Sequence, residues 1–219
     1  MDKLKNILSF FTMLLLVTGC EKKISFEEIL TSSECSAPCW MDIEPGKTTK
    51  DEALSKLNDL PALVEVNSIF TGVYGGNERI GWEFLNSDVH GDVGFKNGYV
   101  SSISIGYNFG EIRKSRLKVG RLIELYGSPS DIYYQEGIGD LGIILVNLVS
   151  PEKGIEYQFH QSEREKLIIS PDQIVYWVLF FSPGDTSEIA LPSFDWETDS
   201  LENHHFKWSG FTEIPLPQP

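Results

Sequence analysis

The stretch Gln173-Ile-Val-Tyr-Trp-Val-Leu-Phe-Phe181 decides how this chain must be built. Successive side chains of a strand point to opposite faces. Ile174, Tyr176, Val178 and Phe180 therefore share one side, and Val175, Trp177, Leu179 and Phe181 the other. Both sides are apolar, which predicts a sheet covered on both faces. Residues 141–149 read nearly the same way, whereas Tyr99–Tyr107 does not. There Tyr99, Ile103, Ile105 and Tyr107 fall on one face and Val100, Ser102, Ser104 and Gly106 on the other, the pattern of a strand with one buried face. A helix covers only one face of the later strands. The nearest cover for the second is the C-terminal segment, with Phe194, Trp196, Phe206, Trp208 and Phe211. Aromatic burial alone does not offset the entropy of ordering that segment, so either added backbone hydrogen bonds and prolines help hold it, or only part of it docks and a partner or second subunit covers the rest. Tyr176, Trp177, Phe180 and Phe181, with Trp196, form a candidate binding face.

Upstream of these strands the strongest helix signal is Thr48-Thr-Lys-Asp-Glu-Ala-Leu-Ser-Lys-Leu57. Thr49 and Glu52 make a capping box, Ala53, Leu54, Leu57 and Leu60 recur at helical spacing, and Pro61 stops the run. Strand-like runs follow at 64–74, 80–85, 89–95 and 99–107, with Asn97-Gly98 as a two-residue hairpin signal. The second half repeats this order: a helix over 117–126 closed by Gly127 and Pro129, then strands at 131–135, 141–149, 155–160 and 173–181. A shift of 68 residues places Leu54 on Leu122, Leu57 on Leu125, Pro61 on Pro129 and Val64 on Ile132. The expected fold is α+β: two tandem units, each a helix packed on an antiparallel sheet of about four strands.

The N-terminus carries a different signal. Lys3 and Lys5 precede an apolar run from Ile7 to Val17, too short to span a bilayer comfortably before Glu21, Lys22 and Lys23 end it. Leu16-Val-Thr-Gly-Cys20 resembles the lipobox of bacterial lipoproteins. That resemblance implies cleavage before Cys20 and acylation of its thiol, diacylglycerol first and further acyl chains such as palmitate after. More than one chain is needed for stable attachment. The expected organisation is a signal peptide at 1–19, an anchor and tether at 20–42, a first unit at 43–110, a second at 111–191, and an acidic aromatic tail at 192–219. The domain would then be held at the cell membrane or outer membrane, on its extracytoplasmic side.

Export changes the reading of the other two cysteines, because an oxidising compartment favours disulfides. With Cys20 taken by lipid, Cys35 and Cys39 form an even remainder that predicts a bond between them. Metal binding is the rival, although two thiols without a matching His or Cys pair make a poor zinc site. The formal net charge of −14 argues against a nucleic-acid partner and against a second, electrostatic grip on anionic lipid. A hydrophobic share of 41% is that of a folded protein and excludes a disordered spacer.

Ile43-Glu-Pro-Gly-Lys-Thr-Thr-Lys-Asp-Glu-Ala53 and Leu122-Ile-Glu-Leu-Tyr-Gly-Ser-Pro129 resemble the helix-start and helix-end phrases of small lipoproteins in the outer-membrane-assembly and beta-lactamase-inhibitor-protein superfamily. The resemblance implies a module that binds other proteins on a sheet face and has no catalytic residues. Candidate active sites are thin. Gly137-Ile-Gly-Asp-Leu-Gly142 has dinucleotide-loop spacing but precedes a strand instead of opening a helix, and reads as a hairpin loop. His204-His205 reads as part of a solvated tail more readily than as a metal site, and His90 and His160 stand alone. Asp195 and Glu197 flank Trp196 at a spacing that glycoside chemistry uses. The expected function is a non-catalytic, membrane-anchored interaction module of the cell envelope with a protein partner and no cofactor or metal. A glycan hydrolase and a structural scaffold are the alternatives.

Overall fold

The computed structural model describes residues 23–60, 70–74, 77–107, 109–138, 143–162, 165–185 and 205–216. Three α-helices are present among them, α1 Phe26–Thr31, α2 Lys50–Asn58 and α3 Val119–Tyr126, with short 3-10 helices at Phe109–Lys114 and Pro151–Lys153. The strands are β1 Phe70–Tyr74, β2 Asn77–Glu83, β3 Val89–Lys96, β4 Tyr99–Tyr107, β5 Asp131–Ile138, β6 Ile143–Ser150, β7 Ile155–Gln161, β8 Lys166–Ile169, β9 Trp177–Phe181, β10 His205–Lys207 and β11 Thr212–Pro215. The structure is α+β and mostly antiparallel sheet. Nine strands form one sheet in the order β1-β2-β3-β4-β9-β7-β6-β5-β10, while β8 and β11 pair separately.

The helices start where side chains or carbonyls satisfy their free N–H groups. Thr49 and Glu52 close a capping box on α2, as the sequence predicts. Ser25 and Glu28 do the same for α1, a short helix that the hydrophobic pattern alone does not announce. Lys118 gives α3 no side-chain cap. The Gln173 and Pro171 carbonyls instead accept from Val119 N and Gly120 N, both at 2.9 Å. That duty draws residues 173–175 out of the sheet, so the long expected strand shortens to β9, with an isolated bridge from Ile174 to Lys118, while Tyr176 still donates to the Gln158 carbonyl at 3.1 Å and accepts from Tyr107 N at 2.9 Å.

All three helices pack on one face of the sheet. Phe26, Ile29 and Leu30 of α1, Ala53 and Leu57 of α2, and Val119 and Leu122 of α3 join Ile80, Trp82, Val93, Ile103, Ile105, Tyr157, Val178 and Phe180 in one buried core. Trp40 lies flat on Trp82, ring centroids 5.7 Å apart, and its indole N–H donates to the Ile29 carbonyl at 3.1 Å. Trp82 in turn covers Gly91, its partner across the β2–β3 pair, where a Cβ would come within 2.2 Å of the indole ring.

The tail corrects the sequence expectation in its detail. Its described part docks as two strands: β10 extends the sheet beyond β5 and β11 pairs with β8. Register with Ile132 turns Phe206 toward the helix side, where it stacks on Tyr134 at 5.8 Å. Trp208 is also packed against the main core, and Phe211 stays 47% exposed. These aromatics therefore reinforce the first face and do not cover the second. Phe194 and Trp196 lie outside the described residues.

Candidate binding face

Directly paired residues of neighbouring strands share a face. On the side away from the helices one row runs unbroken across eight strands: Glu83, His90, Gly106, Trp177, Gln158, Asn147, Tyr133 and His205. At about 4.8 Å per strand it is roughly 34 Å long. Trp177 lies against Gly106 and brings its ring to 5.1 Å from the His90 imidazole. A Cβ on Gly106 would come within 2.4 Å of both the indole and the Tyr176 carbonyl, so glycine is what lets the indole lie there. Gln158 donates from Nε2 to Asn147 Oδ1 at 3.0 Å. Tyr133 and His205 stack at 4.6 Å with planes 13° apart. Except for buried Asn147 and Gly106 and exposed Glu83, the row is half-buried.

Burial and pairing set the state of the ionisable groups on this face. Burial pushes the His90 imidazole down, outweighing the nearby Asp92 and Glu83 carboxylates, so the ring is neutral at pH 7. Its Nδ1 is buried without a hydrogen-bond partner. Asp92, one pair further along β3, is held on both oxygens: Ser104 donates to Oδ2 at 2.6 Å and Arg79 binds Oδ1. A serine that gives its proton to a saturated carboxylate, and is itself 1% exposed, is a structural pair and not a nucleophile with its base. Beside it Val149, Leu179 and Phe181 form a second small apolar cluster, with Tyr133 against it. The apolar pattern on both sides of β9 is thus met by a core on each face.

The residues singled out from sequence distribute unevenly. Tyr176, Phe180 and Phe181 are at most 5% exposed, which makes them core side chains that no partner can reach directly; Trp177 alone of that group is half-buried. Cys20, Asp195, Trp196, Glu197 and His204 lie outside the described residues. Cys35 and Cys39 are bonded to each other, Cα atoms 5.7 Å apart. Asp42 is near enough to them to complete a three-ligand cation site, but sulfurs tied in a disulfide are not thiolate ligands. His205 is no free tail residue, because its Nε2 meets Asp131 Oδ1 at 2.6 Å. The row itself escapes sequence reading: its members are 7 to 72 positions apart along the chain from one strand to the next, and only strand order brings them together.

A cleft of about 350 Å³ opens beside the disulfide loop, between Ala37, Pro38, Leu125, Tyr126 and Lys153. Lys153 spends its ammonium on the Tyr126 carbonyl at 2.9 Å, closing the C-terminal end of α3. Burial raises the Tyr126 phenol to about 12, so it offers no proton-transfer group near neutral pH. Among the described residues no helix is long and apolar enough to cross a membrane. The chain matches no protein-family model, no curated protein and no solved structure.

Proposed function

We propose that the protein is a non-catalytic interaction module of the cell envelope, anchored through lipid on Cys20, and that it takes a protein partner on the row from Glu83 to His205. The observation that carries this reading is the row itself: indole, phenol, imidazole and amide groups in register on a rigid sheet, half-buried in the free chain. Aromatic side chains of this kind are enriched in protein interfaces and depleted from ordinary surfaces, where lysine and glutamate prevail. Trp177 and Tyr133 are the natural anchors. A glycan hydrolase has no such observation behind it, since the carboxylates that suggest it, Asp195 and Glu197, lie outside the described residues.

We further read the two halves as copies of one unit, α2 with β1–β4 and α3 with β5, β6, β7 and β9, joined edge to edge along β4 and β9. Support comes from the mirrored strand order on either side of that seam. On this reading β8 is an insertion before the last strand of the second copy.

The test is crosslinking and affinity capture from the source envelope with the mature protein and with Trp177→Ala plus Tyr133→Ala. Circular dichroism confirms the variant's fold. We expect a specific protein whose capture falls about tenfold or more in the variant, as for loss of interface anchors. Equal capture by both proteins would place the binding surface elsewhere.

A further inference from the structure

Residues 113–121, Arg-Lys-Ser-Arg-Leu-Lys-Val-Gly-Arg, hold five cations and no acid in a chain whose formal charge is −14. All five side chains are exposed. The run connects β4 to α3, and two ion-pair links tie it to the N-terminal end of the domain. Asp88 pairs with both Lys23 (3.3 Å) and Lys114 (3.1 Å). Glu27 of α1 pairs with Arg121 at 2.6 Å. The Ser87 hydroxyl also donates to the carbonyl of Ile24, which follows Cys20 by four residues in the sequence, at 3.2 Å. Four residues span at most about 14 Å.

From this geometry we propose that the exposed basic run 113–121, together with Lys23, is a membrane-contact surface that takes the phosphates of anionic lipid headgroups and fixes the orientation of the anchored domain. The inference rests on the lipid-anchor reading of Cys20. A tether this short keeps Ile24 and the groups tied to it near the bilayer, and headgroup contact with the run would select the lean that brings 113–121 against it. Charge summed over the whole chain argues against such a contact, but only the local balance reaches a headgroup. There Lys23 and the five cations of the run outnumber by one the five carboxylates paired with them, Glu27, Asp88, Glu111, Glu124 and Asp172. Screening confines each charge to roughly 10 Å, and the far end of β4 lies about 26 Å away along its nine residues.

Lys114, Lys118 and Arg121 have carboxylate partners, in exposed pairs of the kind that headgroups readily exchange with. Arg113 and Arg116 have none among the described residues; Arg116 donates only to the Arg113 and Ser115 carbonyls. These two guanidinium groups are therefore available to phosphate, which they match in geometry.

The experiment places the mature acylated protein in vesicles of phosphatidylcholine alone or mixed with phosphatidylglycerol. A dye is attached at Glu124→Cys, beside the run, or at Tyr99→Cys, on the far hairpin, and a quencher is carried on the headgroups. In the anionic vesicles we expect quenching at 124 to exceed that at 99 by about threefold or more, and added salt to reduce the ratio. Arg113→Glu with Arg116→Glu should return the ratio to its value in neutral vesicles, and since both side chains are exposed the fold should be unaffected. A ratio indifferent to lipid charge, or retained by the double variant, overturns the proposal. Intact mass separates the two readings. Cys20 without lipid overturns the anchor and this inference with it, whereas acylated Cys20 with a charge-indifferent ratio overturns the inference alone.

Discussion

Strands β4 and β9 lie side by side at the centre of the sheet, yet they solve packing differently on its two faces. Toward the helices large meets large: Ile103 beside Phe180 and Ile105 beside Val178, with helical side chains filling the space above. On the other face large meets small: Phe181 beside Ser102, Leu179 beside Ser104 and Trp177 beside Gly106. Each face also carries one tryptophan laid over a neighbouring glycine, Trp82 on Gly91 and Trp177 on Gly106. Trp82 is then sealed by Trp40, whereas Trp177 remains half-buried. One face is closed by the protein's own helices. On the other, Ser102, Ser104, Leu179 and Phe181 are at most 3% exposed, and the partly exposed side chains are those of the row, where Gly106 gives Trp177 room to lie flat.

The strongest test of that contrast fills the slot. Gly106→Val would drive a Cβ into the Tyr176 carbonyl and the Trp177 main chain, neither of which can retreat without parting β4 from β9. We expect a loss of about 4 kcal/mol or more, the size reserved for severe overpacking at a site that cannot relax. Urea denaturation measures it, and a near-native midpoint would show that the seam is pliable.

Next in size is a paired truncation. Phe180→Ala removes a ring from the main core and Phe181→Ala one from the small cluster on the opposite face. Both rings are buried, and such changes cost about 3–5 kcal/mol. The larger core should give the larger loss. If Phe181→Ala costs more in the same denaturation assay, the second face is the better packed and the contrast reverses.

What is local in this fold is legible in the sequence. The capping box of α2, the Asn97-Gly98 hairpin, the span of β4 and the Cys35–Cys39 bond all depend on residues a few positions apart. Helix α1 is missed there, although Ser25-Phe-Glu-Glu28 has the same cap signature as Thr49 to Glu52 and could have been seen. Neither the merging of both halves into one sheet nor the capture of β8 by the tail is visible, since each depends on which strand edges meet. The row from Glu83 to His205 is hidden for a related reason. Serines, glycines and an isolated histidine read as a solvated face until strand order sets His90 against Trp177.

The disulfide supports the closed face, because its loop leads directly into Trp40, the lid of Trp82. Replacing Cys35 and Cys39 by serine should cost about 2 kcal/mol, the low value expected for so short a loop. Binding to the opposite row should persist at native temperatures. Thermal melts with and without reductant check the first statement. A loss of partner capture without unfolding would show that the two faces communicate.

The smallest effect concerns the edge of the open face, where β10 is held to β5 by three residue pairs and one carboxylate. Asp131 is 6% exposed on its side chain and accepts from Ser130, His205 and Lys207, each at 2.6 Å. Burial alone would push its carboxyl up, but the hydrogen bonds from Lys207, Ser130 and His205 outweigh that and hold it below the ordinary carboxylate value. A carboxyl depressed in the folded state contributes stability above its unfolded value near pH 4, and loses it as pH falls further. His90 and His160, pushed down by burial, act in the same direction at higher pH. Their contribution is present above about pH 6.5 and is lost as pH falls through their folded values. Stability should therefore decline in two stages on acidification, the histidine stage first. Asp131→Asn keeps an acceptor but not the charge, so at pH 7 it should cost about 1 kcal/mol and shrink the second stage, to which Asp88 and Glu52 also contribute, without changing the first. Amide exchange of β10 read against pH is the direct measurement. If β10 protection in the wild type is flat from pH 6 down to 3, or if the variant loses the first stage instead, the carboxylate is not what holds the last strand.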